Sequence, residues 1–63
     1  MTLFAIYKNG VHKGNERGFS ENDAIENYII ASNFVEFLND ANFMQQYEGI
    51  IAVEGLHYNE LVL

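Results

Sequence analysis

Cysteine, proline and tryptophan are absent from this 63-residue chain. Without cysteine the chain can form no disulfide and no thiolate metal site, two common ways of stabilising a small domain. A chain of this length buries only about 60% of the surface that its unfolded form exposes, so its stability is marginal. Good packing and self-association remain as sources of stability, and a hydrophobic content of 49% allows both. We therefore expect residues 1–63 to form a single small domain that assembles as a homodimer or a larger oligomer.

Positive charge is also scarce. The only basic residues are Lys8, Lys13 and Arg17, and the formal net charge is −6. From Gly18 onward there is no lysine or arginine, whereas eight carboxylates occur there: Glu21, Asp23, Glu26, Glu36, Asp40, Glu48, Glu54 and Glu60. Binding to a nucleic-acid backbone requires clusters of lysine and arginine, so we expect no direct nucleic-acid binding. The acidic surface either serves solubility or meets a basic partner protein.

Long apolar runs are missing too. No stretch approaches the 18 or so apolar residues of a membrane-spanning helix, so no membrane association is expected. The first seven residues carry no basic residue ahead of their apolar run, which does not fit a signal peptide. With the lack of cysteine, these features favour the cytoplasm.

The N-terminal segment has the pattern of a β-hairpin. Residues 2–8 are rich in aromatic and β-branched residues, and Asn9-Gly10 is typical of a type I′ turn. Residues 11–19 would return as the second strand. Direct pairing would set Lys8 opposite Val11, Tyr7 opposite His12, Ile6 opposite Lys13 and Ala5 opposite Gly14. Gly14 and Gly18 would then share the face of Leu3, Ala5 and Tyr7, leaving room there for a helix or an aromatic ring.

A helix is predicted over residues 21–32. Ser20 and Asp23 form a capping box, and Phe19 before the cap can act as a hydrophobic staple. Ile25, Tyr28, Ile29 and Ser32 follow at helical spacing.

Asn33 and Glu36 repeat the capping pattern and predict a second helix with Phe34, Phe37, Leu38 and Ala41 on its apolar face. Asp40 could restart it through Gln46, and Gly49 would end it. Residues 50–53 then predict a buried strand, and residues 56–63 a last strand or a short helix. The expected fold is α+β, ββααβ or ββααββ, with both helices on one face of a small antiparallel sheet.

Residues able to carry chemistry are few. Ser20 is explained as a cap, and the two histidines, His12 and His57, lack the partners that zinc requires. No glycine-rich phosphate loop lies between a strand and a helix. We therefore expect no enzyme, no catalytic residues, no metal and no cofactor.

Nine aromatic residues are more than so small a core can hide, so some should lie at an interface. The candidate contact residues are Tyr7, Phe43, Tyr47, Tyr58, Leu61 and Leu63. The terminal Leu61-Val62-Leu63 is included because an apolar chain end needs cover.

The run Phe4-x-x-Tyr7-x-Asn9-Gly10-x-x-x-Gly14, followed by Phe19-Ser20-x-x-Asp23-Ala24-Ile25-x-x-Tyr28, resembles the start of small uncharacterised proteins of tailed phages, including those of cyanobacteria. The shared features are an aromatic strand, an Asn-Gly turn and a capped helix start, within residues 4–28. The resemblance implies no activity and no residue roles. It implies a phage protein that acts on a host, in which case the cytoplasm is that of the host cell.

These observations leave three hypotheses. The first is a non-enzymatic protein-binding module, such as a phage inhibitor or modulator of a host protein. The second is a nucleic-acid mimic in which the carboxylates of the acidic C-terminal two-thirds imitate phosphates, which requires them to line one face. The third is an oligomeric sponge for a small ligand such as a nucleotide, bound by Tyr7, His12, Lys13 or Arg17.

Overall fold

The computed structural model describes residues 1–59 of the chain. Their elements are, in order, β1 (Thr2–Lys8), β2 (Val11–Gly18), α1 (Glu21–Ala31), a 3₁₀ turn (Val35–Phe37), α2 (Ala41–Met44) and β3 (Tyr47–Ile51). The strands form a three-stranded sheet in the order β2-β1-β3, with β1 antiparallel to both neighbours. The predicted α+β class and the order ββααβ are confirmed.

The hairpin turn has the predicted geometry. Asn9 and Gly10 have φ values of 50° and 81°, the two positive values that a type I′ turn requires. Lys8 pairs with Val11 and Tyr7 with His12, also as predicted.

A β-bulge then shifts the register. Ile6 pairs with Gly14 and Ala5 with Asn15, so the predicted pairs of Ile6 with Lys13 and of Ala5 with Gly14 are wrong. A bulge inserts one extra residue into one strand, and every later side chain of β2 therefore changes face.

The bulge moves Gly14 and Gly18 to the face of Ile6, where α1 packs. A Cβ at Gly14 would lie 3.1 Å from the Tyr28 ring, and one at Gly18 would overlap the backbone of Ala24. The glycines do admit an aromatic ring and a helix, but on the face opposite to the predicted one.

Helix α1 begins as predicted. The Ser20 hydroxyl accepts a hydrogen bond from the Asp23 backbone N–H at 3.1 Å, and the Asp23 carboxylate accepts one from the Phe19 N–H at 2.8 Å. The prediction that Phe19 acts as a hydrophobic staple is wrong, because its side chain is 83% exposed.

The end of α1 explains why no second long helix follows. Ser32 caps α1, and Asn33 takes a left-handed conformation with φ 66°. The Phe34 N–H donates to the Ile29 carbonyl at 3.0 Å and the Asn33 N–H to the Ile30 carbonyl at 3.1 Å, the Schellman pattern. Asn33 therefore ends one helix and does not cap another, so the predicted helix starting there is wrong.

In its place come the 3₁₀ turn and the short α2. Asp40 caps α2, as predicted, by accepting a hydrogen bond from the Phe43 N–H at 3.1 Å. Gly49 was expected to end a helix but lies buried inside β3. The strand predicted at residues 50–53 begins earlier, at Tyr47, and ends at Ile51, and its Ile50 and Ile51 are exposed, so the prediction of a buried strand is wrong.

The core lies between the sheet and the helices. Its buried members are Ile6, Ala24, Ile25 and Ile29, with Phe4, Tyr28, Leu38, Phe43, Met44 and Tyr47 packed partly buried around them. Full burial of an isoleucine such as Ile6 stabilises the fold by about 1.5–3 kcal/mol. Because these core residues come from both helices and from one face of the sheet, both helices pack on that face, as predicted. Within residues 1–59, no helix is long and apolar enough to cross a membrane.

The chain after β3 turns back at residues 55–57, and an isolated bridge joins Glu54 to Tyr58. Leu61, Leu63 and the rest of residues 60–63, the second half of the ambiguous segment 56–63, lie outside the described residues.

Candidate functional site

A groove of about 410 Å³ runs between α1 and the segment that carries α2, ending at the start of β3. Its lining residues are Glu21, Asn22, Ile25, Glu26, Leu38, Ala41, Met44, Gln45 and Tyr47.

The lining combines an apolar floor with an anionic rim. Ile25 is buried and Met44 half-buried, whereas Glu21 and Glu26 are exposed. In α1, Glu21 lies about one turn before Ile25 and Glu26 follows Ile25 directly. Both glutamates are therefore close enough to Ile25 to line the same groove. No lysine or arginine is among the lining residues, so the charged side chains of the lining are all acidic.

Glu21 also connects the groove to the sheet. Its side chain crosses Gly49, where a Cβ would lie 3.2 Å from the Glu21 Cγ. Its carboxylate accepts a hydrogen bond from the Gly49 backbone N–H at 3.2 Å. A side chain at position 49 would therefore require the Glu21 side chain to shift by a few tenths of an ångström.

An aromatic cluster supports the far end of the groove. The rings of Phe37 and Phe43 stack at 4.5 Å, and those of Phe43 and Tyr47 lie 5.4 Å apart. The Lys8 Nζ lies 5.8 Å from the centre of the Phe43 ring and 5.7 Å from that of Tyr47, within cation–π range. Phe43 and Tyr47, two predicted contact residues, are thus half-buried, and Tyr47 also lines the groove.

The Tyr47 hydroxyl is affected by this packing. Burial raises the pKa of Tyr47 above its usual 10.0, and the nearby Tyr28 raises it further.

A polar network occupies the opposite face of the sheet. The buried His57 accepts a hydrogen bond at Nδ1 from the Val53 N–H at 2.9 Å. Its proton is therefore assigned to Nε2, which donates to the Tyr7 hydroxyl oxygen at 2.9 Å.

Asn15 completes this network. Its Nδ2 donates to the His57 carbonyl at 3.0 Å, and its Oδ1 accepts from the His12 Nε2 at 2.8 Å. Together the four side chains hold the C-terminal turn against the sheet.

Of the predicted ligand-binding residues, Tyr7 and His12 come together in this network, whereas Lys13 and Arg17 are exposed on β2 and take no part in its hydrogen bonds. Asn15 was missed because only the bulge places it on the face of Tyr7. Tyr58, a predicted contact residue, is 38% exposed.

The carboxylates lie on both sides of the sheet. Glu48 pairs with Tyr7 and so shares the face opposite to the α1 residues Glu21 and Glu26. Among residues 1–59, no three metal-ligating side chains gather into a group that could hold a metal ion.

Comparison of the chain with models of known protein families, with curated proteins and with solved structures found no match.

Proposed function

We propose that this chain is a non-enzymatic protein-binding module whose groove takes a basic segment of a partner protein. The observation that supports the proposal is the composition of the groove, with an apolar floor at Ile25 and Met44 below the carboxylates of Glu21 and Glu26. A lysine or arginine side chain matches this arrangement, because it has an apolar stem and a cationic head.

The expected affinity is modest and depends on salt. Each exposed carboxylate–cation pair contributes about 0.2–1 kcal/mol, and the attraction is screened at physiological ionic strength. Burial of the apolar stem adds about 25 cal/mol for each Å² removed from water.

The resemblance of residues 4–28 to tailed-phage proteins gives the proposal its biological form, a phage-encoded inhibitor or modulator of a host protein in the host cytoplasm. The two other hypotheses have less support. A nucleic-acid mimic would need its carboxylates on one face, and Glu48 lies opposite Glu21 and Glu26. A ligand site built on Tyr7 and His12 would compete with the hydrogen bonds that both already make.

The test is a titration with a capped peptide of alternating lysine and valine. Glu26→Gln removes one carboxylate of the groove, and Glu48→Gln removes one on the opposite face as the matched control. Glu26→Gln removes one exposed ion pair with the peptide, so we expect it to weaken binding about two- to fivefold. Glu48→Gln should leave the affinity nearly unchanged. Equal losses would show general attraction to the acidic surface and would contradict the groove as the site.

A further inference from the structure

Strand β3 lies at an edge of the sheet, and its hydrogen bonds show which of its residues face outward. The Gln46 carbonyl accepts from the Asn9 N–H at 2.9 Å, and the Ala52 N–H donates to the Leu3 carbonyl at 3.0 Å, so both face inward. Residues of an antiparallel strand alternate between inward and outward backbone groups. The backbone groups of Tyr47, Gly49 and Ile51 therefore point away from β1.

Within residues 1–59, the outward backbone groups of β3 form a hydrogen bond with only one side chain. That side chain is Glu21, whose carboxylate accepts the Gly49 N–H at 3.2 Å. The same carboxylate lines the groove. A cation that enters the groove would attract Glu21 and so release the Gly49 N–H.

The other edge, β2, is less open. The Arg17 carbonyl accepts a hydrogen bond from the Asn27 Nδ2 at 2.9 Å, and the Arg17 N–H donates to the Glu16 carboxylate at 3.2 Å. The bulge further disrupts this strand. Bulges and blocked backbone groups are common protections of an edge strand.

From these observations we propose that the partner segment binds as an extended strand, added antiparallel to β3 along Tyr47–Ile51. This inference rests on the proposed function, from which the positive charge of the segment is taken. On binding, a cationic side chain of the segment pairs with the Glu21 carboxylate, and the backbone of the segment takes over the Gly49 N–H.

The geometry also fixes the side-chain pattern of the segment. Residues directly opposite each other in an antiparallel pair share a face, so the partners of Tyr47, Gly49 and Ile51 point toward the helices and the groove. Those positions take the cations, and their apolar stems cover Ile51, which is 65% exposed. The alternate positions lie beside Ile50, which is 47% exposed, and take apolar residues.

Charge favours this occupant over the β3 strand of a second copy. Each chain carries a net charge of −6, and paired edges would bring two Glu21 carboxylates together. Like charges placed close to each other are unfavourable, whereas a basic segment is attracted.

Two N-methylated forms of the alternating lysine–valine peptide test the proposal. In the antiparallel arrangement the lysine N–H groups point to β3 and the valine N–H groups point to solvent. We expect methylation of the lysine nitrogens to weaken binding at least about tenfold, because several strand hydrogen bonds are lost together. Methylation of the valine nitrogens is the matched control and should leave the affinity within about twofold.

The Gly49 amide resonance, followed by NMR during the titration, supplies the second readout and should shift with the parent peptide. Equal binding of both methylated peptides, or loss with the valine-methylated one, overturns strand addition, while a loss with Glu26→Gln would still support the groove. Failure of the parent peptide to bind overturns the proposed function itself. A Gly49 shift that depends on protein concentration without peptide identifies a second copy as the occupant and also overturns the inference.

Discussion

Tyr47 joins the aromatic cluster to the groove, and its hydroxyl gives a prediction at the scale of one residue. Burial raises the pKa of Tyr47 above 10.0, with a further contribution from Tyr28, so the folded state holds this proton more tightly than the unfolded state does. The resulting stabilisation is complete below pH 10, the unfolded value, and is lost as the pH rises through the folded pKa.

We therefore expect the free energy of unfolding to fall above pH 10 by an amount that is smaller in Tyr47→Phe than in the wild type. Urea denaturation at a series of alkaline pH values measures it. Tyr58→Phe removes a more exposed hydroxyl and is the control. The same alkaline slope in Tyr47→Phe as in the wild type would contradict the assignment.

Several single residues could be interpreted correctly from sequence because their role is local. Asn9-Gly10 and Ser20 act within a few residues of themselves, and both have the predicted geometry. Asn33 could not be resolved in this way, since asparagine suits both a helix start and a left-handed helix end. Gly49 was misread because a glycine that ends a helix and one that admits a side chain look alike in sequence.

The C-terminal turn is the element whose attachment depends most on one side chain. His57 joins the Val53 N–H to the Tyr7 hydroxyl, and both partners would lose their bond in His57→Ala. An unsatisfied polar group that stays buried costs about 1–3 kcal/mol. We expect a loss of this size in urea denaturation.

The matched control is His12→Ala, since His12 is exposed and its side chain makes one hydrogen bond within residues 1–59, to the Asn15 side chain. Surface substitutions of this kind usually change stability by about 0.5 kcal/mol or less. A larger loss from His12→Ala than from His57→Ala would contradict the role given to His57.

The bulge in β2 is the element that sequence could least reveal. A glycine inside a strand, such as Gly14, is compatible with a bulge but does not fix its position. That position is set by tertiary contacts, because the bulge brings Gly14 under the Tyr28 ring and Gly18 under Ala24. The groove was missed for a related reason. Sequence alone places Glu21 and Glu26 in a predicted helix, and they line a groove only because α2 returns beside α1.

At the scale of the whole molecule, exposed apolar side chains are the reason why we still predict self-association. Val53 and Leu56 are 51% and 72% exposed beyond β3, away from the groove lining. Light scattering at micromolar concentration should give a mass above the 7.2 kDa of one chain. Leu56→Ser should reduce that mass, and Val35→Ser, at a residue 56% exposed on the helical side, should not. A single 7.2 kDa species in the wild type would end this prediction.

Charge is the other whole-molecule feature, and it separates the two ends of the sequence. Lys8, Lys13 and Arg17 lie in the hairpin, while the groove is lined by carboxylates from α1. The groove, and not acidity in general, is therefore the proposed reason why a basic segment binds.

Mapping amide shifts by NMR while the alternating lysine–valine peptide is added tests this claim most directly. We predict that the shifts concentrate on the groove and the β3 edge, at Ile25, Glu26, Met44 and Gly49, and fade as salt is raised. Shifts spread over all acidic residues, including Glu16 on β2 and Glu54 beyond β3, or no shifts at all, would contradict binding in the groove and along β3.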